Sequence, residues 1–242
     1  MRLNKCNADW CKRNGGVGDH PRTLPYRLPP KNRKAGKAIR DQLERLGVLK
    51  PTGHERFRGS IVVPLFDASG RVVQLYGRKV GRNLRKGTAA HVWLPGERRG
   101  VFNLAALRSQ REVVVAGSIV DALTYWSAGF RNVTAADGPN GASRALLETL
   151  AAAGTKRVWV AYRRDRAGDE AAARVAEALT ASGVEVFRVR YPRGLDANDV
   201  VRSANDPEKA LGAHLRDAEW VGKGAAVPRS GKKPKRAGDA QG

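Results

Sequence analysis

Apolar positions along the chain follow two different rhythms. Residues 61–66 and 71–76, IVVPLF and RVVQLY, are β-rich runs joined by Asp67-Ala-Ser-Gly70, with glycine where a positive φ is needed; they predict a hairpin. HVWL at 91–94 predicts a further short strand. Beyond residue 111 the pattern changes. Strand-like runs at 112–116, 132–136, 157–162 and 184–189 alternate with helical patterns at 118–128, 143–153 and 168–182. Ser118 and Ser143 stand at N-cap positions, and Gly129, Gly154 and Gly183 stand where helix C-termini need a left-handed residue. Strands separated by crossover helices predict a parallel sheet with helices on both faces. Three further helices are predicted. One runs over 37–49, with Ala38, Leu43, Leu46 and Leu49 on one face and Gly47 and Pro51 ending it. A short one starts at an Asn103 cap and runs to Ser109. The last opens at Asp206-Pro207 and extends to about Trp220.

These rhythms divide the chain into a basic, partly disordered arm at 1–36, a basic helix-and-hairpin subdomain at 37–110, an α/β unit at 111–221 and a disordered basic tail at 222–242. The longest apolar runs, at 61–66 and 113–116, are too short to span a bilayer, and no apolar leader stands at the N-terminus. Two cysteines do not make a disulfide framework, so a reducing cytoplasm is the expected compartment. Cys6, Cys11 and His20 offer three loosely spaced ligands where structural zinc takes four, so no zinc is expected.

Charge changes the picture most. Forty-five Lys and Arg face 23 Asp and Glu, a net +22, which points to a polyanionic partner and above all to nucleic acid. A genomic preference for Arg explains part of the Arg usage but not the shortage of acids. The excess is concentrated beside the predicted hairpin, in GRKVGRNLRKG at 77–87 and PGERRG at 95–100. Glycine-punctuated basic loops on a β scaffold can follow a phosphate backbone, although solvated surface loops share that composition. Arg78, Lys79, Arg82, Arg85, Lys86, Arg98 and Arg99 are the candidate contacts.

In a parallel sheet, ligands sit beyond the carboxyl ends of the strands. Three such ends carry polar residues: AGS at 116–118, YRRDRAGD at 162–169 and LDAND at 195–199. With the hairpin upstream, this layout over residues 55–201 resembles the Toprim-containing catalytic core of bacterial DnaG-type DNA primases. It is most similar to stand-alone primase-like Toprim proteins of mobile elements. The resemblance implies a Rossmann-like Toprim sheet preceded by a small basic α+β subdomain. It aligns Gly117 with the family's glutamate and Asp121 with the aspartate four positions later. Arg163-Arg164-Asp165, followed by Ala167-Gly168, aligns with its Asp-x-Asp. Asp196, with Asn198 and Asp199 close by, aligns with its later acidic segment, and Arg78 and Lys79 with its basic ridge.

The family's chemistry implies Mg²⁺ held by hard oxygen ligands. Glycine at 117 supplies neither a ligand nor a proton-transfer group. Arginine at 163 reverses a charge next to the implied metal position, where one unit charge at ~4 Å acts with about 4 kcal/mol at an effective dielectric of about 20. Asp121, Asp165, Asp169 and Asp196 remain as a weakened metal set, with simpler roles available: Asp165 pairing with Arg163 or Arg166, and Asp169 at a helix start. Arg163 can instead contact phosphate directly. The expectation is therefore a primase-like protein that binds single-stranded DNA with impaired catalysis. The alternatives are an active primase making RNA primers with Mg²⁺, or a Toprim nuclease or topoisomerase fragment. Nucleotides and a helicase or other replication partner stay open.

Overall fold

The computed structural model describes Leu24 and residues 28–80, 84–136 and 141–222. Cys6, Cys11 and His20, Arg82, and the basic tail beyond Gly222 lie outside the described residues, so the zinc expectation and the arm and tail assignments are not addressed by it.

The order of elements follows the two rhythms. Helix α1 (Lys34–Arg45) precedes a three-stranded antiparallel sheet of β1 (Ser60–Phe66), β2 (Val72–Lys79) and β3 (His91–Trp93). Strands β1 and β2 pair from Ser60 opposite Lys79 to Phe66 opposite Val72, with an irregularity at Leu65/Phe66. Gly70 takes φ 83° in the turn, as the sequence requires. Helix α2 (Leu104–Ser109) then leads into β4 (Glu112–Ala116), α3 (Ile119–Ser127), β5 (Val133–Ala135) and α4 (Arg144–Ala152). After these come β6 (Arg157–Ala161), α5 (Arg166–Ala181), β7 (Glu185–Arg188), α6 (Ala197–Ser203), α7 (Pro207–Arg216) and β8 (Glu219–Trp220).

The second sheet has the order β5-β4-β6-β7-β8, parallel throughout except for the antiparallel β8. Its strands alternate between two apolar layers. Val114, Ala116, Ala161, Phe187 and Val189 join one core with α3, α6 and α7. Val113, Val115, Val158, Val160 and Val186 join the other with α4 and α5. Period-two alternation on a doubly covered sheet requires this division. The first core also contains Ile61, Val63, Leu65 and Tyr76, so the hairpin and the parallel sheet share one apolar interior. Among the described residues no helix is long and apolar enough to cross a membrane.

Three sequence expectations are corrected. The helix opened by Asp206 ends at Arg216, and Glu219–Trp220 adds an antiparallel edge strand beside β7. There the Glu219 carboxylate meets Arg190 at 2.7 Å. Helix α1 spans Lys34–Arg45 rather than 37–49, and Ala38 and Leu46 are exposed, because the chain turns at Gly47 (φ 76°) before Leu49 enters the core. Asn103 stands at the start of α2 but makes no cap: at φ 54° its side-chain amide donates to the carbonyls of Arg131 (3.1 Å) and Val133 (2.8 Å), tying down the edge strand β5.

Candidate functional site

The chain steps from β4 outward to β5, then crosses back over β4 to place β6 on its other side. That reversal opens a crevice beyond the carboxyl ends of β4 and β6, the position where open α/β sheets bind ligands. Gly117 follows β4, and Tyr162 to Asp165 follow β6. The cleft there has a volume of about 470 Å³. On the sheet side it is lined by Gly117, Ser118, Asp121, Arg163, Asp165 and Asp196, and on the hairpin side by Tyr76, His91, Trp93 and Arg98.

Each acid is positioned by a helix start. Ser118 caps α3: its Oγ accepts from the Asp121 amide at 3.1 Å and donates to Asp121 Oδ2 at 2.6 Å. Asp121 is only 6% exposed and also accepts from the Asn198 amide at 3.3 Å. Burial first, then the charge of Asp196, push its carboxyl up to about 7 against the opposing Ser118 and Asn198 hydrogen bonds. Asp165 caps α5 by accepting from Gly168 N at 2.8 Å, and Asp196 caps α6 by accepting from Asp199 N at 2.9 Å.

The Arg163 guanidinium occupies the middle of this group. Its Nε lies 3.1 Å from Asp165 Oδ2, and its Nη1 lies 2.9 Å from Asp196 Oδ2 and 3.1 Å from Asp199 Oδ2. One cation therefore faces three carboxylates that begin two different helices. Asp165 pairs with Arg163, while Arg166 turns to Glu170 at 2.9 Å. The fourth acid of the expected metal set is elsewhere. Asp169, in the first turn of α5, meets Arg188 at 2.8 Å and lines a different cleft with Arg188 and Arg190. The Arg188 side chain is 6% exposed and donates to the carbonyls of Val160, Tyr162 and Val189 at 3.2, 3.1 and 2.8 Å. It joins the ends of β6 and β7, so Asp169 is its counter-ion.

The remaining donor set does not fit Mg²⁺. Among the described residues, no group of three or more His, Cys, Asp or Glu side chains is arranged to hold a metal ion. The carboxylates that converge do so around a guanidinium, whose charge repels a divalent cation. Gly117 adds a steric term. A Cβ built there lies 3.3 Å from both Cα and Cγ of the buried Tyr162, so a longer side chain needs Tyr162 to give way.

The predicted basic contacts separate into groups. Arg98 and Arg163 line the cleft. Arg78 bonds a residue of the cleft wall, with its Nη1 2.9 Å from His91 Nε2. Lys79 folds back to donate to the Arg58 carbonyl. Arg85 and Lys86 are exposed on the β2–β3 connection. Arg99 pairs with Glu97 at 3.3 Å and faces another cleft, between the hairpin and α4. Sequence reasoning missed the aromatic wall of the cleft. Its signal was the hairpin register, which sets Tyr76 opposite Trp93 and Arg78 opposite His91, on one sheet face.

Residues 114–201 match the Toprim-like family. The DNA primase of Staphylococcus epidermidis (strain ATCC 12228 / FDA PCI 1200) is 27% identical over 164 residues, covering 65% of this chain and 27% of that protein. The chain thus spans about a quarter of the length of the curated relatives it matches. Among solved structures, the Aquifex aeolicus primase (zinc-binding and RNA polymerase domains) superposes with TM-score 0.67 at 21% identity, over 90% of this chain and 57% of that one. A DnaG primase catalytic domain bound to single-stranded DNA superposes with TM-score 0.65 at 19% identity, over 91% of this chain and 74% of that one. Residues 114–201 therefore match a Toprim-like domain, and the chain is similar in sequence and in fold to DnaG-type primase cores.

Proposed function

We propose that the protein is a nucleic-acid-binding member of this group that holds single-stranded DNA and does not carry out metal-dependent nucleotidyl transfer. The observation that carries the reading is the Arg163 guanidinium, within 3.1 Å of Asp165, Asp196 and Asp199. A cation built into the chain neutralises the acids that a metal would need, and the glutamate position is Gly117. The binding half of the proposal is supported by the net charge of +22, by the cleft-lining Arg98 and by the exposed Arg85 and Lys86 on the β2–β3 connection. It is also supported by the likeness to a primase catalytic domain whose solved structure contains single-stranded DNA.

The test pairs binding with synthesis. The expected result is affinity for a single-stranded oligodeoxynucleotide that weakens steeply with salt, with no labelled oligoribonucleotide formed from ribonucleoside triphosphates and Mg²⁺. Template-dependent products that vanish in Asp165→Ala would overturn the non-catalytic half. Absence of binding at low salt would overturn the other.

A further inference from the structure

We propose that Trp93, with Arg98 laid over it, is a platform for one unpaired nucleobase and gives the cleft a preference for single strands over duplex. The inference rests on the nucleic-acid reading above and assigns a role to residues that reading does not use.

Tyr76 and Trp93 are direct partners across β2 and β3, so their side chains share the face turned to the cleft. Their ring centroids are 5.0 Å apart at an interplanar angle of 59°. Arg98 Cζ lies 4.9 Å from the Trp93 ring centroid, which makes a guanidinium plane part of the same surface. His91, two positions along the register and so on the same sheet face, extends the row. The row is fixed by hydrogen bonds. A guanidinium can only donate, so His91 Nε2 accepts from Arg78 at 2.9 Å, and Nδ1–H is left to donate to Tyr76 Oη at 2.8 Å. Burial, followed by the charges of Arg78 and Arg98, lowers the His91 pKa and keeps the ring neutral. The result is a rigid, uncharged aromatic edge flanked by cations. Across the cleft stand Ser118 and Arg163.

Bases stack on aromatic rings and on Arg planes, whereas the bases of a duplex already have both faces covered. A cleft of about 470 Å³ lies within the range of ~300–1,000 Å³ typical of small-ligand sites and admits a single nucleotide unit, not a helix. Trp93 is only partly buried, although its ring packs on the hairpin side of the core. The surrounding positive charge binds single and double strands alike, so the preference is assigned to the ring.

The experiment uses the intact chain, a short fluorescein-labelled oligothymidylate and a duplex of the same length. Trp93→Leu keeps an apolar side chain but removes the π-face; Trp93→Phe keeps a ring. The platform predicts that Trp93→Leu loses roughly 5- to 150-fold in single-strand affinity. Duplex affinity and salt slope stay unchanged, and Trp93→Phe recovers most of the loss. Of the five tryptophans, Trp93 also supplies the main intrinsic-fluorescence quench on oligothymidylate binding, so the quench is lost in Trp93→Phe even if Trp93→Leu folds poorly. Unchanged oligothymidylate affinity in Trp93→Leu, or an unchanged quench in Trp93→Phe, overturns the platform and leaves the nucleic-acid reading intact. Failure of the wild type to bind either strand form overturns both.

Discussion

At the scale of single residues, Arg163 and Asp121 carry opposite electrostatic problems. Arg163 holds together three carboxylates whose mutual repulsion it offsets, all of them partly solvated, so each pair is worth little alone and the set is worth more. Arg163→Ala is expected to lower stability by about 1–2 kcal/mol at low ionic strength, with the loss shrinking as added salt screens the carboxylates from one another; urea unfolding at low and high salt reads it. Asp121 presents the reverse case. Its carboxyl is raised from 3.8 to about 7 by burial, so in that window the folded state keeps a proton that the unfolded chain has released. Its contribution to stability is therefore largest at low pH and declines as pH rises through the window. Asp121→Asn removes the titration while leaving an oxygen to accept from Ser118. It should melt above the wild type near pH 8 and lose that advantage near pH 4; an unchanged difference across the range would exclude Asp121 as the titrating group.

At the scale of elements, the well-formed ones were legible and the short ones were not. The run EVVVA, the Ser118 cap and the Gly129 stop predict β4 and α3 to within a residue, because a doubly buried strand and a capped helix each carry their own period. Helix α6 has seven residues, too few for a period to register, and was visible only as the acids that turned out to cap it. Strand β8 has two residues and exists by pairing with β7, a contact no local pattern encodes. Arg188 shows the same limit at the site. In EVFRVR it reads as a solvent-facing position, yet it is buried because four main-chain carbonyls, those of Val160, Tyr162, Arg163 and Val189, converge on it. Those carbonyls and Asp169 would lose their donor in Arg188→Met. The expected cost is on the order of 3 kcal/mol, with the ends of β6 and β7 losing hydrogen-exchange protection first. A cost near zero would show that the junction is held by packing alone. The Arg163 group was half legible: Asp165 is two positions away, but Asp196 and Asp199 are 33 and 36 positions off and reach it only through the β6–β7 crossover.

At the scale of the molecule, two basic features act together. The hairpin unit presents Arg98 on one side of the cleft and carries the exposed Arg85 and Lys86 on its β2–β3 connection, and the parallel sheet presents Arg163 on the other side, with a common core joining the two units. Single-strand binding by such a surface should show a logarithmic salt dependence that decreases by about 0.7 for each phosphate contact removed. Replacing Arg85 and Lys86 by Gln together should therefore flatten the slope without altering the preference for single strands, which belongs to Trp93. A variant with an unchanged slope would remove that loop from the interface.

In the proposed reading, the Arg163 guanidinium stands where the chemistry of the resembled primase cores would need a divalent cation. Calorimetric titration of Mg²⁺ into the intact protein and into Arg163→Asp measures this most directly, and it needs no change at Gly117, where an added Cβ would lie 3.3 Å from Tyr162. The wild type should give no saturable heat, while Arg163→Asp, with its guanidinium replaced by a fourth carboxylate, should acquire a site. Saturable Mg²⁺ binding by the wild type that disappears in Asp165→Ala would show that Arg163 does not exclude the metal.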